Sequence, residues 1–305
     1  MKLHLAGADS ARKLVAAVAG SLAADSTATP YLLTSYWYSR LQAGDKANGL
    51  WRKLYDFVDA EWVVDSGLFT MMFGSGRGRT YDIKELRAYT AKYVRYLNEI
   101  RFRHYAVEMD VHKVLGMNAV FELRAYIEDH WPVEQTIYVW HEEEGIDGLQ
   151  RLAAERPYIA LSIPELREVA SKRKLDLNML TLNLLRTINE AGSPKVHLLG
   201  CSQPSVMFNP HYTSTDSTSW TAPARWKKVQ VFDGKTFRAF DKHWGTFQKN
   251  IKRHEGFIRT YYELVRKQLG VEATFNERDV AVATLACWYK RMELTINKEY
   301  YGGTP

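Results

Sequence analysis

Three aspartates, Asp65, Asp110 and Asp216, carry the residue types and placement that acid–base and nucleophilic chemistry requires. The apolar run Trp62-Val63-Val64 delivers Asp65, the run from Tyr105 to Met109 delivers Asp110, and Asp216 sits within Ser214-Thr215-Asp216-Ser217-Thr218. Two carboxylates in different environments can divide nucleophile and acid/base duties at an anomeric carbon. Held about 5 Å apart, they support a retaining displacement through a covalent sugar–enzyme ester. The leaving group of such a reaction is a sugar or a nucleobase, and a third carboxylate can accept hydrogen bonds from the N–H edge of guanine. The structural alternative for each is an aspartate that caps the next helix or stabilises a turn.

These residues need elements to position them. Short apolar runs predict strands at Leu3–Ala8, Tyr31–Tyr36, Trp62–Asp65, Tyr105–Asp110, Thr136–Trp140, Tyr158–Leu161, Val196–Gly200 and around Val206–Phe208. Helical spacing predicts helices over Ala11–Ala24, Asp82–Arg101, Ala119–Glu128, Glu165–Lys172 and Leu177–Ala191, the last stopped by Gly192-Ser193-Pro194. Strands alternating with helices imply βαβ crossovers and a parallel sheet. Eight strands point to a (β/α)₈ barrel of the TIM type, with an open sheet as the alternative. In a barrel the carboxyl ends of the strands hold the chemistry. That rule selects Asp65, Asp110, His141 after Trp140, and Gly200-Cys201-Ser202-Gln203. Beyond Trp220 the pattern turns to basic, aromatic helices at Phe237–Ile251, Gly256–Leu269 and Glu277–Glu293. The division expected is a catalytic barrel over residues 1–220 and a helical layer over 221–305 packed upon it.

Composition narrows the class. Of 305 residues 46% are hydrophobic and 25% charged, ordinary globular values that argue against disorder. No apolar run approaches the roughly 18 to 20 residues that span a bilayer, and the start of the chain lacks a signal-peptide core. Two cysteines, Cys201 and Cys287, make neither a disulfide framework nor a zinc ribbon. The net charge of +6 is uneven: Thr221–Tyr300 carries 16 Lys and Arg against 9 Asp and Glu, leaving the remainder near neutral. A cationic region beside a neutral body favours a polyanionic partner. Arg77 and Arg79 in the loop Gly74–Thr80, with Arg225, Lys227 and Lys228, are the candidate phosphate contacts. Phe247, Phe257 and Tyr261, at helical spacing, read as packing residues. His141 is followed by Glu142, Glu143 and Glu144, but adjacent side chains rarely aim at one ion, so no metal is expected there. His141 reads as a base contact, a proton carrier or a plain loop histidine, and Cys201 as a small buried hydrophobe.

In sequence order, "VVDSGLFT" (Val63–Thr70), "YAVEMDVHKVLG" (Tyr105–Gly116), "VHLLGCSQP" (Val196–Pro204) and "STDSTSW" (Ser214–Trp220) resemble motifs of the tRNA-guanine transglycosylase superfamily. The first is similar to its Asp-Ser-Gly-Gly-Phe/Tyr-Gln signature, the third to Tyr-Leu-Met-Gly-Val-Gly-Thr-Pro, and the last to its Phe-Asp-Cys-Val nucleophile segment. The resemblance implies Asp216 as nucleophile, Asp65 as general acid/base and Asp110 as reader of the guanine edge. It also implies Phe69 stacking on the base and Gly200 allowing close backbone approach, with Gly67 in the matched signature. From their positions alone, Ser66 and Ser217, which flank two of the aspartates, are candidate partners for those aspartates or a phosphate, and His141 is a candidate base contact.

The departures are specific. The family's zinc site after the nucleophile has no counterpart, since Cys287 is the only cysteine beyond Asp216. Leu68 and Thr70 replace the second glycine and the glutamine of the first motif. Leu199 replaces a methionine, and Ala160-Leu161-Ser162-Ile163 is all that answers to Gly-Gly-Leu-Ala-Val-Gly. A compact zinc-less chain most resembles the DNA-guanine transglycosylases of phages and bacterial DNA-modification systems. That resemblance implies exchange of guanine in DNA for a 7-deazaguanine base such as 7-cyano-7-deazaguanine. The reaction needs no metal and no nucleotide cofactor. It takes place in the cytoplasm of a bacterium or phage-infected cell, with no membrane partner and with a requirement for accessory proteins left open. Exchange on tRNA, and hydrolysis by the same aspartate pair, stay as alternatives.

Overall fold

The computed structural model describes residues 1–38, 58–73, 80–100, 103–208, 211–221, 228–241, 245–271 and 276–300. In chain order the elements begin β1 (Lys2–Ala6), α1 (Ala11–Ala24), β2 (Tyr31–Ser35), β3 (Glu61–Asp65), α2 (Leu68–Phe73), α3 (Ile83–Glu99) and β4 (His104–Val107). They continue with α4 (His112–Leu115), α5 (Met117–Glu128), β5 (Thr136–Trp140), α6 (Gly145–Glu155), β6 (Tyr158–Ser162), α7 (Ile163–Arg173), α8 (Leu177–Ala191) and β7 (Lys195–Leu199). The last are α9 (Pro204–Met207), β8 (Ser214–Ser217), β9 (Lys228–Phe232), β10 (Phe237–Asp241), α10 (Gly245–Gln268) and α11 (Glu277–Tyr300).

Strands β1 to β8 pair in sequence order, all parallel, and β8 returns to β1 with Leu3 opposite Thr215 and His4 opposite Asp216. The result is a closed (β/α)₈ barrel. Alternation of side chains sorts each strand into two faces. On β3, Trp62 and Val64 pack outward into the main core under the helices, while Val63 belongs to the inner cluster with Ala6, Leu33, Val107, Ile137, Val139 and Ala160. Asp65, two residues beyond Val63, therefore lies on the inner face at the carboxyl end. The same alternation puts Ser214 and Asp216 inside on β8.

The helices answer to local signals. Asp82 caps α3 by accepting from the Glu85 N–H while Glu85 reaches back to the Asp82 N–H, a full capping box. Tyr93 of α3 places its hydroxyl between the carbonyls of Val64 and Val107, 2.8 and 2.9 Å away, stapling the ends of β3 and β4. Ser162 and Asp176 cap α7 and α8.

Several expectations need correction. The eighth strand is Ser214–Ser217, not the region of Val206–Phe208, which is the short helix α9 opened by Pro204 and buried through Val206 and Met207. The triplet Val206–Phe208 is apolar because it packs into the core, whereas the strand is polar on its inner face, where Ser214 and Asp216 line the mouth. Helix α6 has no counterpart among the expected helices; Gly145 and Gly148 weaken its pattern. Phe237 begins a strand, β10, antiparallel to β9, and one helix, α10, runs from Gly245 through the separately expected Gly256–Leu269. Phe257 is half exposed, edge-on to Tyr261 at 5.0 Å, rather than buried in packing; its place on the outer face of α10 is set by tertiary contacts. Tyr261 is partly buried against the core, and the side chain of Phe247 lies outside the described residues.

Helix α11 packs along α1 and against β1. The contact is backbone-close: a Cβ on Gly20 of α1 would lie 2.5 Å from the Ala283 carbonyl oxygen and from Ala286 Cβ. Polar ties add direction. Glu293 accepts from the Leu3 N–H at 3.1 Å, Lys290 pairs with Glu293 at 2.5 Å and donates to the Thr29 carbonyl at 2.9 Å, and Asn297 binds the N-terminal amine at 2.7 Å. Among the described helices no stretch is long and apolar enough to cross a membrane.

Candidate active site

At the carboxyl end of the barrel the inner faces of β3 and β8 and the loops after β1 and β4 supply four carboxylates, Asp65, Asp216, Asp9 and Asp110. Asp216 is 7% exposed and held from two sides through one oxygen. The Gly200 N–H donates to Oδ1 at 2.9 Å, and His197 Nε2 lies 3.2 Å from the same atom. His197 Nδ1 is 2.5 Å from Ser214 Oγ, which in turn bonds the Tyr158 hydroxyl. With Nε2–H donating to the carboxylate, Nδ1 accepts from Ser214, so the chain of donors runs from Tyr158 to Asp216 in one direction. Among the described residues both anchors fall on Oδ1, leaving Oδ2 without a hydrogen-bond donor.

Asp65 ends β3, with the Gly67 N–H donating to its Oδ2 at 2.9 Å. Burial pushes its carboxyl up to about 7, the Gly67 donor opposes this, and the charges of Asp216, Asp110 and Asp9 raise it further. A carboxyl titrating there can both give and take a proton at neutral pH. Gly67 has φ +79°, and a Cβ on it would meet Ser35 Oγ and Trp37 Cβ at 2.5 Å, so the turn that carries its donor admits only glycine.

Asp110 lies in the loop between β4 and α4, its side chain 38% exposed. Its Oδ1 is 2.7 Å from His112 Nδ1 and 3.8 Å from His141 Nδ1. His112 Nε2 meets Glu165 Oε1 at 2.8 Å. Burial alone would lower the His112 pKa, but hydrogen bonds and charge from Asp110 and Glu165 outweigh it and hold it at about 9. His141 stacks on His112, ring centroids 3.9 Å apart. Burial lowers it to about 4 despite Asp110. The loop stands on a buried ion pair. Arg124 of α5 donates Nε to Glu108 Oε2 at 2.7 Å and Nη2 to Oε1 at 2.9 Å, and Glu108 Oε1 accepts the Val139 N–H at 2.6 Å.

The substrate-side expectations fall as follows. Ser66 is buried, and its carbonyl accepts from the Tyr89 hydroxyl at 2.7 Å. Phe69 stands on α2, one turn past Asp65, and is 76% exposed. Gly200 contributes its N–H to Asp216, and Cys201 is buried, with its thiol pushed up to about 11 by that burial and so inert. His141 is wholly buried behind Asp110 rather than free in a loop. Arg77, Arg79, Arg225 and Lys227 lie outside the described residues; Lys228 opens β9, its side chain undescribed.

Three participants escaped the sequence reading. His197 looks like one more inward residue of an apolar strand. Ser214 looks like a loop serine. Asp9, just past β1, accepts from Thr34 Oγ1 and the Ser35 N–H, both at 3.1 Å, and burial raises its carboxyl. Only Asp9 carried a signal, as an aspartate two residues beyond an apolar strand and a glycine. Comparison with protein-family models, curated proteins and solved structures finds no match to this chain.

Proposed function

We propose that this chain is a base-exchanging transglycosylase that replaces guanine in DNA with a 7-deazaguanine base. The observation that carries the reading is the unequal treatment of two mouth carboxylates: Asp216 is anchored through Oδ1 with Oδ2 left over, while Asp65 titrates near 7. In this reading Oδ2 of Asp216 attacks C1′ of the target nucleotide as the bond from C1′ to the base nitrogen breaks. The Asp65 carboxyl gives its proton to the departing base. The incoming base then loses its N–H proton to the Asp65 carboxylate, and its nitrogen attacks C1′, releasing Asp216 from the ester. Two inversions leave the configuration retained. Asp110 reads the amino and ring N–H edge, and Phe69 stacks on the base.

DNA is favoured as substrate by the charge excess between Thr221 and Tyr300 and by the motif order described above. The target base has to leave the helix, at a cost of a few kcal/mol that stacking and edge hydrogen bonds offset. The test is incorporation of labelled guanine into duplex DNA or tRNA by the wild-type chain and by Asp216→Ala. Label entering DNA and absent with the variant supports the proposal. Label entering tRNA alone keeps the chemistry and changes the substrate; abasic product without incorporation identifies a hydrolase. Equal behaviour of the variant and wild type removes Asp216 from the mechanism.

A further inference from the structure

The geometry points to a divalent transition-metal site made by Asp110 Oδ1, His112 Nδ1 and His141 Nδ1. It lies where the loops after β4 and β5 meet, and it shares Asp110 with the proposed base exchange.

His141 is the observation that calls for an occupant. Its side chain is fully buried, and among the described residues neither ring nitrogen has a hydrogen-bond partner. A buried polar atom left unsatisfied costs about 1 to 3 kcal/mol, and native interiors keep such atoms paired or bound to water or an ion. Its Nδ1 is 3.8 Å from Asp110 Oδ1, which is itself 2.7 Å from His112 Nδ1. All three donor atoms lie within 4.8 Å of one another. Ligands on a four-coordinate ion with bonds of about 2.0 to 2.1 Å stand roughly 3.3 Å apart, and the two distances from Asp110 Oδ1 bracket that value.

The surroundings fit a metal as well as the donors do. A ligating histidine donates its other ring N–H to a carboxylate, which fixes the tautomer and aims the lone pair. Glu165 Oε1, 2.8 Å from His112 Nε2, is such a carboxylate. Two imidazoles and one carboxylate select a transition metal over Mg²⁺ or Ca²⁺, which prefer oxygen ligands throughout. Three protein ligands leave a position open for water or a substrate atom.

The rings now stack with 29° between their planes. Ligation therefore requires side-chain rotations that open the stack and bring both lone pairs to one point. Binding also displaces the proton that His112 shares with Asp110. The sequence expectation of no metal rested on Glu142, Glu143 and Glu144 being poor co-ligands for His141. The partners proposed here come instead from the neighbouring loop.

The test strips the full chain with chelator and measures Zn²⁺ by equilibrium dialysis, with Co²⁺ as a spectroscopic probe of nitrogen and oxygen ligation. Wild type, Asp110→Asn, His141→Gln, Glu165→Gln and a surface control, His130→Gln, are compared, each checked for native circular dichroism. The expected result is about one Zn²⁺ per chain for wild type and the control. Affinity falls at least about 100-fold in Asp110→Asn and His141→Gln and about 10- to 100-fold in Glu165→Gln. Sub-stoichiometric binding by wild type overturns the site, as does unchanged binding by the folded variants. Should His141→Gln fail to fold, Asp110→Asn decides, because that side chain is partly exposed and the change is isosteric.

Discussion

Replacing Asp65 by asparagine keeps the shape of the side chain and an oxygen for the Gly67 N–H, and removes only the titration. In the folded chain the Asp65 carboxyl titrates at about 7, against 3.8 for an unperturbed aspartate. The folded state thus binds the proton more tightly than the unfolded state, so this group lowers stability as pH rises from the unfolded to the folded pKa. Each unit of difference is worth about 1.4 kcal/mol. The cost is about 2 kcal/mol at pH 5 and about 4 kcal/mol at pH 8. Asparagine carries no such cost at either pH. The stability of Asp65→Asn relative to wild type should therefore rise by about 2 to 3 kcal/mol between pH 5 and pH 8. Urea unfolding of both proteins across that range reads the difference directly, and shared titrations such as those of His112 and His141 largely cancel in it. Wild type falling behind the variant as pH rises would mark Asp65 as a group kept at the expense of stability. A gap that stays within about 1 kcal/mol of constant would refute the idea that burial among Asp216, Asp110 and Asp9 holds the proton on Asp65.

Four further outcomes follow from the same contacts. His197→Phe removes one of two donors to Asp216 Oδ1; if the proposed exchange holds, kcat falls about 10- to 100-fold with KM little changed, the loss expected for one hydrogen bond to a charged group. Gly67→Ala forces a side chain into φ +79° and onto Ser35 and Trp37, so it should destabilise by more than about 1 kcal/mol and disturb the Asp65 titration followed by carboxyl NMR. Gly20→Ala drives a methyl into the α11 backbone, with an expected loss of about 1 to 3 kcal/mol in denaturant unfolding. Arg124→Met leaves Glu108 charged and buried without its partner; unfolding free energy should drop by about 3 to 5 kcal/mol, recovered in part by adding Glu108→Gln.

Local sequence determined most of the secondary structure and pointed to all three candidate aspartates, but it placed only Asp65 correctly at the end of a strand. Helices α1 and α8 have the bounds their spacing predicts, because apolar periodicity and a following stop are properties of ten or fifteen consecutive residues. Asp65 was legible for the same reason: an apolar strand that ends on a carboxylate announces itself within five residues. Strand β8 was not, since Ser-Thr-Asp-Ser has no apolar alternation to read. Its residues are buried only because the barrel closes, which sets His4 beside Asp216 across more than two hundred residues of chain. Ser214, His197 and Tyr158 form the line of donors to Asp216 because β6, β7 and β8 lie side by side, and Asp9 reaches Thr34 and Ser35 of the neighbouring β2. Which oxygen of Asp216 is anchored, how far the Asp65 carboxyl is raised, and which groups His141 faces are all set by distances between strands far apart in sequence. Burial and charge act through space, so only the tertiary structure decided them.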